Sequence, residues 1–515
     1  MRVLWIAPAG FIVAFVAVPL WQIAVNALHD DALQTLLSGS TWHVAALAAA
    51  QALLSTVLAM AVGLPLAAVT CYRFPGRALT RALLTIPFVM PTVVVALALR
   101  SMLGGALPTG IVAVVIAHAW INVAVVVRVV GSQWARMDLG YLHAARCLGA
   151  SRLQGFRTIT VPFLRPAIAS SATVVFIFCF TSLGIVLLLG DQHTKTLEEQ
   201  ILRQTSVLLD LPAASALALA QLLVVSVALI LGARAISTTT YRPTTAALRP
   251  LPASTGGRVA LFSCAGLGAI GVLAPVISLV IASVSSAHGM TWQWWATLNS
   301  VDAGTTRIGS PIAALGISIQ YALITGVLAS IIGVIAAISL LGPRIGRWIA
   351  GVSILPLGIS AATLGLGLLL AYARPPIDLR GTGLLVPLAH SLVAVPLVVA
   401  VVIPAVRSLD GRRLGVARSL GAAPTRAFVT AYGPTLAVVM VAAGGLAAAV
   451  SLGEFGAASF LARPGTPTVP LQIVRLLGKP GEQPLAAAAA LSVILAALTL
   501  TLVLLVDRLG RRVGA

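Results

Sequence analysis

Two lysines, thirteen acidic residues, seven histidines and four cysteines are the residues from which this 515-residue chain could build a P-loop lysine, an acid–base pair or a metal cluster. A phosphate-cradling loop requires G-x-x-x-x-G-K-[ST]. Lys479 is followed by Pro480, and Lys195 is preceded by Thr194, so neither lysine fits. Cys71, Cys147, Cys179 and Cys264 form no C-x-x-C pair and read as small apolar filler, with no metal cluster or disulfide framework. No catalytic dyad or triad is visible, so the chain is not expected to be an enzyme, and no cofactor is implied. Glu454, in SLGEFG, is the clearest ionisable group inside an apolar stretch and is the substrate-path candidate. It either lines a cation pathway or accepts a hydrogen bond that fixes a helix pair. His118 and His390 stand 272 residues apart in similar apolar runs, as helix-packing contacts or as substrate ligands.

The same spacing recurs in a longer polar segment. Asp138 to Pro162 reads DLGYLHAARCLGASRLQGFRTITVP, and Asp410 to Pro434 reads DGRRLGVARSLGAAPTRAFVTAYGP. Asp, Leu, Ala, Arg, Leu, Gly, Ala, Phe, Thr and Pro coincide without a gap, from Asp138/Asp410 to Pro162/Pro434. Ala145, Leu148 and Gly149 are three and four apart, the spacing of one helical face. Each copy is expected to be a short helix lying across the membrane surface, with a glycine hinge and a proline opening the next span. A single copy would suit an interfacial helix anchored to headgroups. Two copies at matched positions point to a contact surface.

The elements that carry these segments are membrane spans. Hydrophobic residues make up 59% of the chain and charged residues 9%, where a soluble domain carries roughly a quarter charged. Repeated apolar runs are each long enough to cross a hydrocarbon core of ~30 Å as a helix. The fold class is therefore all-α and polytopic, with about 12 transmembrane helices in two tandem six-helix modules. The first module occupies residues 1–235 with its polar loop at 138–162, and the second 258–515 with its loop at 410–434. A Thr-, Pro- and Gly-rich cytoplasmic linker spans 236–257. The N-terminal run is read as an uncleaved first span.

The net charge of +20 comes almost wholly from arginine scattered over short loops, without a basic stripe interleaved with aromatics, so no nucleic-acid partner is expected. With both termini in the cytoplasm, Arg73, Arg77, Arg81, Arg136, Arg146, Arg407, Arg412 and Arg418 fall on that side, and Asp30, Asp31, Asp191, Glu198 and Glu199 on the other. Both polar repeats then face the cytoplasm.

On these residues the chain resembles the membrane permeases of type I ABC importers. Their cytoplasmic signature is E-A-A, three residues, Gly, then Phe and a Pro. The first copy reads His143-Ala144-Ala145, Gly149, Phe156, Pro162, and the second Gly415-Val416-Ala417, Gly421, Phe428, Pro434. The Glu is absent from both copies and the second keeps one Ala. The resemblance implies that Ala144, Ala145, Arg146, Leu148, Gly149, Phe156 and Pro162, with Ala417, Arg418, Leu420, Gly421, Phe428 and Pro434, couple the pore to ABC ATPase subunits, in two copies. It also implies an extracytoplasmic substrate-binding protein docking on the outer loops 191–212 and 462–484, and a multi-pass location in the bacterial inner (plasma) membrane. A fused pair of modules looks most like the ferric-iron and thiamine permeases, with iron preferred for the SLGEFG acid. The competing reading is a secondary transporter with two parallel six-helix repeats. The scarcity of buried charges weighs against it.

Overall fold

The computed structural model describes residues 5–104, 109–236, 248–299, 310–342, 344–374 and 377–513. Residues 237–247 of the linker lie outside the described residues. The regular structure is helical apart from two hairpins of two-residue strands, Ser285–Ser286 with Gly289–Met290 and Ala373–Arg374 with Ile377–Asp378. The principal helices are α1 (Ile6–Asn26), α2 (Gly39–Val69), α3 (Arg77–Val89), α4 (Thr92–Leu103), α5 (Ile111–Trp134), α6 (Leu139–Cys147), α7 (Arg152–Phe180), α8 (Gly184–Leu189), α9 (Leu197–Arg203) and α10 (Leu211–Ile236). There follow α11 (Thr255–Ala282), α12 (Pro311–Ile338), α13 (Arg344–Val352), α14 (Ala361–Tyr372), α15 (Leu385–Arg407), α16 (Gly411–Ser419), α17 (Pro424–Gly453), α18 (Gly456–Leu461), α19 (Val469–Leu477) and α20 (Glu482–Val513).

Ten described helices are long and apolar enough to cross a membrane. Two bent pairs, α3 with α4 and α13 with α14, bring the number to twelve. The two pairs are bent by 108° and 105°. The cause is local. Met90 is extended because the residue before a proline avoids helical ψ, and Pro91 opens α4. In the second half Ile359 is extended, and Ser360 caps α14 by accepting from the Thr363 N–H at 2.9 Å.

The spacing of 272 residues read from the polar loops runs through the architecture. It separates Gly39 from Pro311, Leu139 from Gly411, Gly184 from Gly456 and Leu197 from Val469, the first residues of four helix pairs. Small residues let these helices pack with little space between backbones. A Cβ on Gly63 of α2 would stand 2.6 Å from Val126 Cβ of α5, and one on Gly326 of α12 would stand 2.9 Å from the Gly444 carbonyl of α17.

The chain forms two compact units, and each includes the first long helix of the other half of the sequence, α1 in one and α11 in the other. One unit joins Met1–Leu36 and Gln200–Leu219 to Ser283–Ala515. Within it α1 lies on α14: a Cβ on Gly367 would meet Pro19, and the Tyr372 hydroxyl donates to the Ala14 carbonyl. The other unit joins Leu37–Glu199 to Ala220–Ala282. Within it the Trp120 indole donates to the Gly271 carbonyl of α11 at 2.8 Å, and Gly268 sits against Leu66 and Leu84.

Candidate functional site

The duplicated polar segments fold into the same object twice. Asp138 and Asp410 are N-caps, and their carboxylates accept from the Gly140 N–H at 2.8 Å and the Arg412 N–H at 2.9 Å. Nine helical residues follow in each copy. The N–H of Gly149 then donates to the Arg146 carbonyl and that of Ala150 to Ala145, at 3.0 Å each. Gly421 to Arg418 and Ala422 to Ala417 repeat the pattern at 2.9 and 3.1 Å. This pair of reversed bonds closes a helix when the residue after the C-cap is left-handed. Gly149 and Gly421 have φ of +87° and +83°, which an L side chain adopts only under strain. The glycines therefore end α6 and α16. They do not share a helical face with Ala145 and Leu148, as spacing alone suggested, because the chain has left the helix by that point.

What each element presents outward is also repeated. Leu142 and Ala145 in one copy, Leu414 and Ala417 in the other, are half-buried. Ala144, Arg146 and Arg418 are exposed, and the capping leucines project furthest, Leu148 at 89% and Leu420 at 82% exposure. The two leucines thus hold the same exposed place at the end of each capped helix. Behind α16 the Tyr432 hydroxyl donates to the Asp410 carbonyl at 3.2 Å, and Phe428 packs edge-on against the Tyr432 ring. A groove of ≈ 520 Å³ runs between α16 and α17, lined by Ala417, Leu420 and Pro434 among others. In the first copy Phe156 is 44% exposed.

Neither proline opens a span. Ser151 and Gln154 form a reciprocal cap that starts α7 well before Pro162, and Pro424 starts α17 well before Pro434. Pro162 follows a wide π turn, Phe156–Thr160, where the helix absorbs the missing N–H.

Glu454 stands where α17 breaks before α18. Its carboxylate accepts from the Ala457 N–H at 3.1 and 3.3 Å and from the Ala458 N–H at 3.4 Å, capping the first turn of α18. Oε2 lies 3.6 Å from Nε2 of His390, whose Nδ1 is 2.7 Å from the Ser451 hydroxyl. The α18 backbone is pressed onto α14, where a Cβ on Gly365 would reach 3.0 Å from Ala457 Cα. Of the two roles open to Glu454 in the sequence, the geometry displays the hydrogen-bonded one.

The first half places His118, Cys179 and Ser182 at the same 272-residue spacing from His390, Ser451 and Glu454. The SLG at 182–184 thus corresponds to EFG at 454–456, not to SLG at 451–453. There His118 Nδ1 is 2.7 Å from Gln51 Nε2, which also reaches Ser55, and Asn122 donates to Cys179. Gln51, Asn122 and Ser451 carried no signal of their own. Extending the 272-residue register would have brought Ser451 forward. Both histidines are buried helix-packing groups. Among the described residues no cluster of three or more His, Cys, Asp or Glu is placed to hold a metal ion.

Comparison with known proteins gives this geometry relatives. Residues 59–237 match the family described as binding-protein-dependent transport system inner membrane component. A protein named as a permease of 2-aminoethylphosphonate transport, PhnV of Salmonella paratyphi A, is 29% identical over 264 residues, which cover 49% of this chain and 98% of PhnV. The sulfate transport system permease protein CysT of Salmonella typhimurium is 33% identical over 170 residues, 29% of this chain and 59% of CysT. The molybdate/tungstate permease WtpB of Thermococcus kodakarensis is 26% identical over 210 residues, 39% of this chain and 81% of WtpB. With its multiple apolar spans and its polar helices between them, the chain is similar over residues 59–237 to the binding-protein-dependent transport system inner membrane components, and over 49% of its length to the permease protein PhnV.

Proposed function

We propose that this chain is a fused permease, carrying both halves of an importer's pore in one polypeptide, with module boundaries near 235 and 258 and both termini in the cytoplasm. The observation that carries the proposal is the duplicated surface element: two helices, identically capped, each ending in a left-handed glycine beside a leucine more than four-fifths exposed. Each element seats one ATPase subunit, so a single chain serves two. Half of the chain matches nearly the full length of PhnV, which supports the fused organisation. Substrate arrives on an extracytoplasmic binding protein, a reading supported by the matched family's description as binding-protein-dependent.

The substrate class follows from the relatives. PhnV, CysT and WtpB are named for a phosphonate, sulfate and molybdate or tungstate, all oxyanions. None of the three is named for ferric iron or thiamine. A tetrahedral oxyanion replaces both as the expected cargo. The competing two-repeat secondary transporter lacks comparable support.

The test is co-purification with the ATPase subunit and ATPase activity, comparing the natural chain with the Leu148→Asp plus Leu420→Asp double variant. Both leucines are too exposed to matter for folding, so loss of association by about tenfold or more is expected with the permease intact. Unchanged association would refute the assignment of the two elements as ATPase seats.

A further inference from the structure

The described end of the linker is folded onto the base of α2 and α5. Arg249 accepts from the Arg73 N–H at 2.8 Å and donates its own N–H to the Cys71 carbonyl at 2.9 Å, a one-residue parallel bridge opposite Tyr72. This sets the Arg249 guanidinium over the Trp134 ring, 5.8 Å from its centroid. Trp134 is the last residue of α5, just before the chain turns into α6. Arg249 Nη2 and Trp134 Nε1 are both buried, and among the described residues neither has a hydrogen-bond partner. Two neighbouring buried donors with no acceptor are costly unless something supplies one.

The surroundings say what that acceptor is. Arg77 and Arg81 of α3, with Arg249, are the charges that act on the Cys71 thiol, which burial pushes up to about 11 against their pull. Arg77 Nε donates to the Thr70 carbonyl at 2.7 Å, fixing that arginine to the end of α2. Among the described residues no carboxylate pairs with Arg77, Arg81 or Arg249. Asp138, the acid nearest Trp134 in sequence, caps α6. The cluster sits at the polar ends of two spans; Leu79 lies between Arg77 and Arg81 on α3, Val259 and Phe262 lie on α11, which packs on α3, and all three are exposed, with Phe262 edge-on to Phe74. Donors at the rim of an apolar, outward-facing surface suit a molecule with a phosphate at one end and hydrocarbon at the other.

We propose that Arg249, Trp134 and Arg81 form a binding site for the headgroup phosphate of an anionic phospholipid, its acyl chains lying along Leu79, Val259 and Phe262. Bound lipid fastens the linker end to the segment that leads into α6. The role is independent of the substrate and of the ATPase.

The test is native mass spectrometry of the full chain in neutral detergent, with equal phosphatidylglycerol and phosphatidylcholine added. Phosphatidylglycerol is expected to be retained preferentially, and Arg249→Gln and Arg81→Gln each to weaken retention about fivefold, at about 1 kcal/mol per arginine near a membrane surface. Peptide-resolved maleimide labelling of buried Cys71 reports local folding. If Arg249→Gln exposes that thiol, the exposed Arg81 variant decides. Equal retention of the two lipids, or unchanged retention in a folded variant, would overturn the proposal. Displacement of phosphatidylglycerol by inorganic phosphate would assign the site to a soluble anion instead. Loss of ATPase co-purification in Arg249→Gln with lipid retention unchanged would assign it to an acidic segment of that partner.

Discussion

Replacing Glu454 separates a helix-fixing role from a substrate-contacting one. Its carboxylate is the acceptor for the N–H groups of Ala457 and Ala458 at a break where Glu454 itself is only 9% exposed. Loss of a helix cap costs about 1 kcal/mol, and a buried donor left without a partner about 1–3 kcal/mol. Two donors, Ala457 and Ala458, lose their acceptor; some of that cost is recovered as the backbone relaxes, so Glu454→Ala is expected to destabilise the fold by about 2–4 kcal/mol. Glu454→Gln keeps an oxygen at the same place and is expected to cost about 1 kcal/mol or less, the charge-assisted part of the bond. Ser182 is the internal control: it holds the equivalent position in the first half, and its hydroxyl has no partner. Ser182→Ala is expected to change stability by no more than about 0.5 kcal/mol. Equilibrium unfolding in mixed detergent, followed by circular dichroism, gives the three values, and transport in proteoliposomes gives KM. If Glu454→Ala unfolds like the natural chain while the KM for substrate rises, the capping role is wrong and the carboxylate touches cargo.

Three further outcomes follow from single sites. Gly421→Ala meets nothing within 4 Å but forces a φ of +83° on an L residue. It should cost about 1–2 kcal/mol at the end of α16, seen as faster amide exchange at Ala422. Gly326→Val drives a side chain into the Gly444 carbonyl and should lower thermal stability in detergent by about 1–3 kcal/mol or more, whereas Gly266→Ala, with open space around it, should be neutral. Asp191 in the outer loop is held below the usual carboxylate range, chiefly by the Thr194 hydroxyl at 2.6 Å. A depressed folded value means that the turn's stabilisation is present above the unfolded carboxylate pKa and is lost as pH falls through the lower folded one. Exchange protection of the Thr194 N–H should therefore persist to a pH below the usual carboxylate range before it is lost, and Thr194→Val should move the loss to higher pH.

The sequence was most legible where chemistry is local. Apolar runs announce spans because a bilayer demands them, and Asp138, Gly149 and their partners announce a capped helix because those residue types satisfy helix ends. The 272-residue spacing, once seen in two loops, carried most of the architecture. What stayed hidden depends on tertiary placement. The bends of more than 100° arise at Met90 and Ile359, which are extended, whereas hydropathy scores the arms on either side as one apolar run. Gly149 fitted a helical spacing and a helix terminator equally well, and only the reversed hydrogen bonds decide between them. The grouping of α1 with the second half and α11 with the first cannot be read from hydropathy, which scores each span alone. His390, Ser451 and Glu454 meet because α15 lies beside the break in α17, a contact across about sixty residues that no local pattern encodes.

The measurement that bears most directly on the two-seat account is site-specific crosslinking of the assembled complex. Leu148→Cys and Leu420→Cys, introduced singly into a chain with Cys147 replaced by Ser, would be joined by a short crosslinker to cysteines placed across the ATPase surface. Crosslinks from both positions, and two ATPase subunits captured per chain when both cysteines are present, is the result expected. Capture at one position only, or at neither, would contradict the claim that a single polypeptide seats two ATPase subunits through α6 and α16.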